Sequence, residues 1–260
     1  MTEMVAVNGF KIATKVSGKP GAPWITLSNS LGTTHRMWAP QMSLLEDNFR
    51  VLCYDTRGHG QSDVPPAPYS FNDLISDVIA LLDHFSIQRT DFMGLSIGGM
   101  TALGLALSHP ERLNRIICAD ARAVATEPFR QIWKDRAKMM DEGGVEAVWP
   151  STRERWFIAT NDDDVEQFRN EFILMPVEGL KGCGAALQGL DYLKNLSKIT
   201  TPTFYIGGES DSGAPSNTMQ EMANATPGSR YHAVPGAAHI ANFDNPGEYN
   251  KAIANYLGIS

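Results

Sequence analysis

Apolar and polar positions along the chain resolve into eight short apolar runs, most closed by a turn residue, with helical periodicities between them. The first two, in "MVAVNGFKIATKV", alternate apolar with polar on either side of Asn8-Gly9, which predicts a β-hairpin. The others are "WITLSN", "RVLCYD", "TDFMGLS", "RIICAD", "TPTFYIG" and "RYHAVPG". In "SFNDLISDVIALLDHFS", Phe71, Leu74, Ile75, Val78, Ile79, Leu82 and Phe85 recur at helical spacing, and Ser70 stands where an N-cap belongs. Strand alternating with helix predicts an α/β fold, a mostly parallel eight-stranded sheet covered by helices on both faces.

One interval breaks the alternation. Between about Arg122 and Ser197 no strand pattern is found, only helical patterns rich in Trp, Met and charge, such as "FRQIWKDRAKMMDEGG" and "DDDVEQFRNEFILM". The expected organisation is a core over residues 1–121, a helical lid over 122–197 and the rest of the core over 198–260. Such a lid would cover the carboxyl edge of the sheet, where open α/β sheets bind ligands.

At that edge the stretch "MGLSIGGM" sets Ser96 between Gly94 and Gly98, after a strand and before the apolar helix "IGGMTALGLALSHP". A strand-to-helix turn sharp enough to push one serine outward leaves no room for side chains two residues to either side, so this is the context of a nucleophile elbow. The alternative is a serine that only caps the helix.

A serine hydroxyl needs a base, and the base needs a carboxylate to orient it. Of six histidines, His239 in "VPGAAHIANFDNP" follows the last predicted strand on a loop at the same edge as Ser96. Asp211, 28 positions earlier and just after the preceding strand, is the expected acid; Asp120, closing "RIICAD", is the substitute. The backbone N–H groups of Ile97 and Leu31 are expected to form the oxyanion hole. His59, in "YDTRGHGQSD", is read as structural, in a loop where Arg57, Ser62 and Asp63 satisfy one another and the backbone.

Composition narrows the partners. With 22 basic and 29 acidic residues, a net charge of -7 and no basic run, nucleic acid is not an expected partner. No basic leader followed by an unbroken apolar stretch opens the chain and no membrane span is visible, so a cytoplasmic location is expected. Cys53, Cys118 and Cys183 lack metal-type spacing and read as buried thiols. No metal is expected, and nothing in the sequence fixes an oligomeric state.

Together, "SNSLGTTHRMWAPQ", "YDTRGHGQSD" and "GLSIGGM" resemble the α/β-hydrolase family, and within it the 3-oxoadipate enol-lactonase branch, which is similar in having Asn-Ser at Asn29-Ser30 where many relatives have His-Gly. The resemblance implies a small-molecule ester or lactone substrate, an acyl-enzyme mechanism and no cofactor. It weakens over the lid. An enol-lactone carries a carboxylate, so a cation should meet it; Arg122 is the first candidate, with Arg153 and Arg155 behind it. Trp133, Trp149 and Trp156 are candidates to line an acyl pocket. A carboxylesterase of other substrate range, a perhydrolase side activity and a non-catalytic ligand receptor on the same fold remain open alternatives.

Overall fold

The computed structural model describes residues 2–259. Strands β1 (Glu3–Val7) and β2 (Phe10–Gly18) pair antiparallel with Val7 opposite Phe10. Asn8 and Gly9 turn the hairpin with φ of 48° and 90°. These are left-handed conformations that Asn and Gly tolerate at least cost, so this dipeptide fixes the register.

Six further strands follow: β3 (Trp24–Ser28), β4 (Arg50–Tyr54), β5 (Thr90–Leu95), β6 (Leu113–Ala119), β7 (Thr203–Gly208) and β8 (Arg230–Val234). They form one eight-stranded sheet in the order β1-β2-β4-β3-β5-β6-β7-β8, antiparallel up to the β2–β4 pair and parallel from there on. The chain order reverses between β3 and β5, which makes the crevice beyond their carboxyl ends the expected ligand position. Ser28 of β3 stands opposite Gly94 of β5. The loop after β3 and the turn after β5 are thereby set side by side.

Six helices accompany the strands: α1 (Ala39–Glu46), α2 (Phe71–His84), α3 (Ile97–Ser108) and, toward the C-terminus, α8 (Ser216–Ala225), α9 (Ala241–Asp244) and α10 (Pro246–Leu257). A capping box starts α2: Ser70 Oγ accepts from the Asp73 amide at 3.3 Å, and Asp73 Oδ2 accepts from the Ser70 amide at 2.8 Å. Its apolar stripe is buried at Phe71, Leu74, Ile75, Val78, Leu81 and Leu82, while Ile79 and Phe85 are half-buried at its margin.

Between β6 and β7 come α4 (Glu127–Gly143), α5 (Trp149–Trp156), α6 (Asp162–Phe172) and α7 (Val177–Gln188). An isolated bridge between Val124 and Asp191 ties the two ends of this segment together, with the Tyr192 amide donating to the Ala123 carbonyl at 2.7 Å. Its interior is aromatic. Trp156 meets Trp149 and Phe172 edge-on at centroid distances of 6.1 and 5.5 Å, a favoured arrangement of aromatic pairs.

All three cysteines are buried and free. Among the described residues, no helix is long and apolar enough to cross a membrane.

Candidate active site

Ser96 occupies the turn between β5 and α3 with φ 57° and ψ −115°, a conformation that costs a non-glycine residue roughly 1–3 kcal/mol. The surroundings impose it. A Cβ on Gly94 would overlap the Gly98 carbonyl and lie 2.7 Å from the Gly99 nitrogen, and one on Gly98 would lie 2.8 Å from Ser28 Oγ. The Ser96 amide donates to the Ala119 carbonyl of β6 at 2.8 Å, anchoring the turn to the sheet. Its hydroxyl makes no capping bond to α3, so the helix-cap reading of this serine does not hold.

Ile97 opens α3, where first-turn N–H groups lack an intrahelical acceptor. Leu31 lies in the loop after β3, and among the described residues its N–H makes no backbone hydrogen bond. Asn29 shapes that loop. Its Oδ1 accepts from the Thr56 amide and hydroxyl at 3.0 and 2.9 Å, and its Nδ2 donates to the Ser30 and Thr33 carbonyls at 3.0 and 2.7 Å. Gly32, at φ 83°, sits under Phe172 and Trp156, where a Cβ would fall 2.6 Å from the Phe172 ring.

Across the same edge, His239 Nδ1 and Asp211 Oδ2 are 2.7 Å apart, both residues buried. Asp211 Oδ1 accepts from the Gly213 amide at 2.6 Å. With Nδ1 engaged, the second ring nitrogen, Nε2, is buried and has no hydrogen-bond partner among the described residues, Ser96 Oγ included. Burial holds the His239 imidazole below its ordinary pKa, and Arg155 and Arg122 push the same way against the pull of Asp211. Asp211 is held below the ordinary carboxylate value: burial opposes ionisation, but His239, Arg155 and the Gly213 amide outweigh it. A neutral imidazole with one nitrogen on a carboxylate and the other free can act as a general base.

Asp120 joins this pair. It closes β6 at φ 45°, and one side-chain atom each of Asp120, Asp211 and His239 lies within 4.8 Å of the other two. These three form a group with metal-ligand chemistry among the described residues, but the short Nδ1–Oδ2 bond already engages the ring nitrogen nearest the carboxylates.

Asp244 was not singled out in the sequence. Its Oδ2 accepts from the Ala238 amide at 2.8 Å, and its Oδ1 accepts from the Ala159 and Thr160 amides at 3.0 and 2.8 Å and from the Thr160 hydroxyl at 2.7 Å. The loop carrying His239 is thereby tied to the helical segment. An acid in "HIANFDNP" five residues beyond His239 was the available signal.

A cavity of about 330 Å³ opens beside Asp211, between Ser212-Gly213, the end of β6 and the helical segment. Arg122, Arg136, Arg155, Phe129, Ile132 and Trp133 line it. Arg122 Nε donates to the Gly213 carbonyl, and Arg136 donates to Ser151 and Thr152 hydroxyls at 3.1 and 2.6 Å. None of the three arginines forms an ion pair among the described residues, although Asp135 stands at the rim. Burial lowers the pKa of all three, that of Arg136 to about 10 with Arg155 adding to the effect. Trp133 Nε1 and Arg136 Nε are buried donors without acceptors. Arg153, expected behind Arg122, is exposed instead; Arg136, one turn of α4 beyond Trp133, takes the inward position. Trp149 and Trp156 pack in the aromatic interior and do not line this cavity.

A roomier cavity of about 430 Å³ lies elsewhere, bounded by Lys15, His35, Arg36 and Cys53. Burial pushes the Cys53 thiol up to about 12, so it offers no thiolate nucleophile. His59 is fully buried, with Nδ1 3.1 Å from the Arg57 carbonyl. The side chains of its loop satisfy backbone groups, as expected, but not one another. Arg57 pairs with Asp77 of α2 at 2.6 Å, the Ser62 hydroxyl bridges Asp55 O and the Ala13 amide at 2.6 and 2.9 Å, and Asp63 accepts from the Lys11 amide at 2.8 Å. The loop is bolted to β2 and α2, and that accounts for its polarity.

The family described as alpha/beta hydrolase fold matches residues 23–143 and 132–246. The chain belongs to the α/β-hydrolase family. It is similar to 3-oxoadipate enol-lactonase 2 of Acinetobacter baylyi, with 35% identity over 91% of this chain and 89% of that protein. The enol-lactonase of Burkholderia xenovorans LB400 superposes with a TM-score of 0.93 at 34% identity, covering 98% of this chain and all of that one. The RutD protein of Pseudomonas syringae, named for carbamate hydrolysis, is 30% identical over 91% of this hydrolase and 94% of its own length.

Proposed function

We propose that this hydrolase opens a carboxylate-bearing lactone of the 3-oxoadipate enol-lactone kind through a serine acyl-enzyme. The His239–Asp211 hydrogen bond, with Nε2 left free at the edge where Ser96 is held, is the observation that carries the mechanism. Ser96 Oγ attacks the lactone carbonyl while His239 Nε2 takes its proton. The oxyanion is received by the Leu31 and Ile97 N–H groups, a donor of this kind being worth about a hundredfold to a thousandfold in turnover. Collapse breaks the ring C–O bond, and the departing enolate oxygen takes the proton back from His239. Water, deprotonated by the same nitrogen, then releases the acid and restores Ser96. Asp211 holds the imidazole in the required tautomer and faces the imidazolium when it forms.

The three arginines without a carboxylate support the substrate class. A cavity of about 330 Å³, apolar at Phe129, Ile132 and Trp133 and cationic at Arg122, Arg136 and Arg155, suits a small organic acid better than a neutral ester. The helices over residues 122–197 serve in this reading as the lid that supplies it.

The test compares the wild type, Ser96→Ala and Arg155→Gln on 3-oxoadipate enol-lactone and on p-nitrophenyl acetate. Efficient opening of the lactone, loss of both activities in Ser96→Ala, and a KM rise in Arg155→Gln confined to the lactone support the proposal. Cleavage of the neutral ester alone assigns the serine chemistry to a general carboxylesterase. Wild-type rates in Ser96→Ala overturn the mechanism.

A further inference from the structure

Asp120 is a completely buried carboxyl beside a second one, and its surroundings are lopsided. Its Oδ1 accepts from the Gly208 amide at 2.8 Å, whereas its Oδ2 is buried and meets no N–H or hydroxyl donor among the described residues. Asp211, by contrast, has a donor on each oxygen: His239 on Oδ2 and the Gly213 amide on Oδ1. Two buried carboxyls with oxygens within 4.8 Å of each other repel when both are charged, and a proton retained by the pair removes that repulsion. An acceptor oxygen left without a donor, next to a carboxylate rich in donors, marks where that proton sits.

We infer that Asp120 is a neutral carboxylic acid whose Oδ2–H donates to Asp211, making it the positioning residue of the acid that orients His239. This rests on the reading of Asp211 and His239 as base and orienting acid. The remaining neighbours agree. Asp244, saturated by backbone amides, adds negative potential that favours a proton on Asp120, while Arg155 and Arg122 act on Asp211 and keep that carboxylate ionised. Cys118, Tyr231 and Tyr249, the other titratable groups nearby, are all pushed up by burial and stay neutral. Space for the acid is provided by β7, where a Cβ on Gly207 would come 3.2 Å from Asp120 Oδ1. The left-handed backbone at Asp120 is a cost that the fold maintains.

The consequence is chemical. A carboxylate that accepts a hydrogen bond from a neutral acid attracts the His239 imidazolium less strongly, so the base stays neutral into mildly acidic solution. The pair therefore adds to burial in placing the acid limb of the rate profile, a quantity that a merely structural Asp120 would leave alone.

Two variants separate the possibilities. Asp120→Asn keeps a donor and removes the acid; Asp120→Ala removes both. With Asp120 neutral, Asp120→Asn keeps the wild-type acid limb, and Asp120→Ala moves it to higher pH with a loss of about tenfold to a hundredfold in kcat/KM, the worth of one hydrogen bond to a charged group. With Asp120 ionised, either substitution deletes a negative charge near His239 and moves the limb to lower pH; that result overturns the inference. Infrared difference spectra of the folded wild type against Asp120→Asn at neutral pH give a readout independent of turnover. A protonated-carboxyl C=O band missing from the variant supports the proposal, and its absence from the wild type overturns it even if Asp120→Ala fails to fold. Failure of Ser96→Ala to lose activity would remove the mechanistic reading while leaving the infrared band intact, so the two failures are distinguishable.

Discussion

Gly94 and Gly98 leave no space for a side chain on each other: a Cβ on Gly94 would overlap the Gly98 carbonyl. Gly98 is equally confined on its other side, where a Cβ would lie 2.8 Å from Ser28 Oγ and still closer to the Ser28 carbonyl. Since Ser28 belongs to β3 and leads into the Asn29–Thr33 loop, one glycine sets the spacing between Ser96 and the Leu31 amide. Gly98→Ala is expected to cost about 1–3 kcal/mol, as overpacking of a rigid interior does. Activity should fall further than stability, because the Leu31 and Ile97 N–H groups, the oxyanion donors of the proposed mechanism, move apart. Urea denaturation together with kcat measured on the fraction that remains folded checks this; unchanged kcat would dissociate the glycine from the site.

The pH dependence follows from the direction of the His239 shift. Its imidazole is held below the ordinary value of 6.5, chiefly by burial, and the neutral form is the base of the proposed mechanism. The acid limb of kcat/KM is therefore expected below pH 6.5, with activity complete above the lowered pKa and lost as pH falls through it. Arg155 is one of the groups pushing that pKa down, so Arg155→Gln should move the limb to higher pH. Profiles on p-nitrophenyl acetate, which has no carboxylate for the arginine to bind, isolate this effect from substrate binding.

The eight strands were legible because each is a short apolar run bounded by turn residues, and Asn8-Gly9 and Ser70 performed the local roles their chemistry suggests. The helix α7 was not. Its "VEGLKGCGAALQ" carries three glycines, poor helix formers, yet two of them are dictated by neighbours. A Cβ on Gly179 would lie 2.7 Å from the Gly58 Cα, and one on Gly182 would lie 2.5 Å from the Tyr69 ring. Tertiary contact overrides propensity there. Arg136 was missed for a different reason: on an amphipathic helix a charged residue reads as solvent-facing, and only the cavity shows it turned inward. The positions of Ser96, Asp211 and His239 at one sheet edge were legible because each follows a strand that a bounded apolar run marks.

The Arg57–Asp77 pair offers a test away from the site. Arg57 Nε and Nη2 each reach an Asp77 oxygen at 2.6 Å, and the guanidinium lies 4.9 Å from the Phe10 ring centroid and 5.3 Å from that of Tyr69. Asp77→Ala would leave a buried cation without its counter-charge, a loss of about 3–5 kcal/mol. The expected result is a lowered denaturation midpoint with an unchanged m-value, and kcat near wild type in the absence of denaturant. A midpoint unchanged within error would mean that Asp73, whose Oδ1 is 3.6 Å from Arg57 Nη1, takes over the charge.

Asp244 couples the helical segment to the loop that carries His239. Its carboxylate bridges the Ala238 amide, adjacent to His239, and the amides of Ala159 and Thr160, just beyond α5. These N–H groups have no other assigned acceptor, and hydrogen bonds to a charged group contribute about 1.5–3 kcal/mol each with strong non-additivity within one network. Asp244→Ala should therefore lower Tm by several degrees and slow turnover as well, since Arg155 and Trp156 meet the His239 loop through the His239 and Ile240 amides at 3.4 and 3.0 Å. Asp244→Asn, which keeps an acceptor oxygen but turns one position into a donor facing N–H groups, should fall between the alanine variant and the wild type. Hydrogen exchange resolved by peptide is the decisive measurement: faster exchange in both 157–161 and 237–241 is expected, because one carboxylate serves both. Acceleration in only one of them would show that the segment and the His239 loop are held by separate contacts, and the slowed turnover would then need another cause.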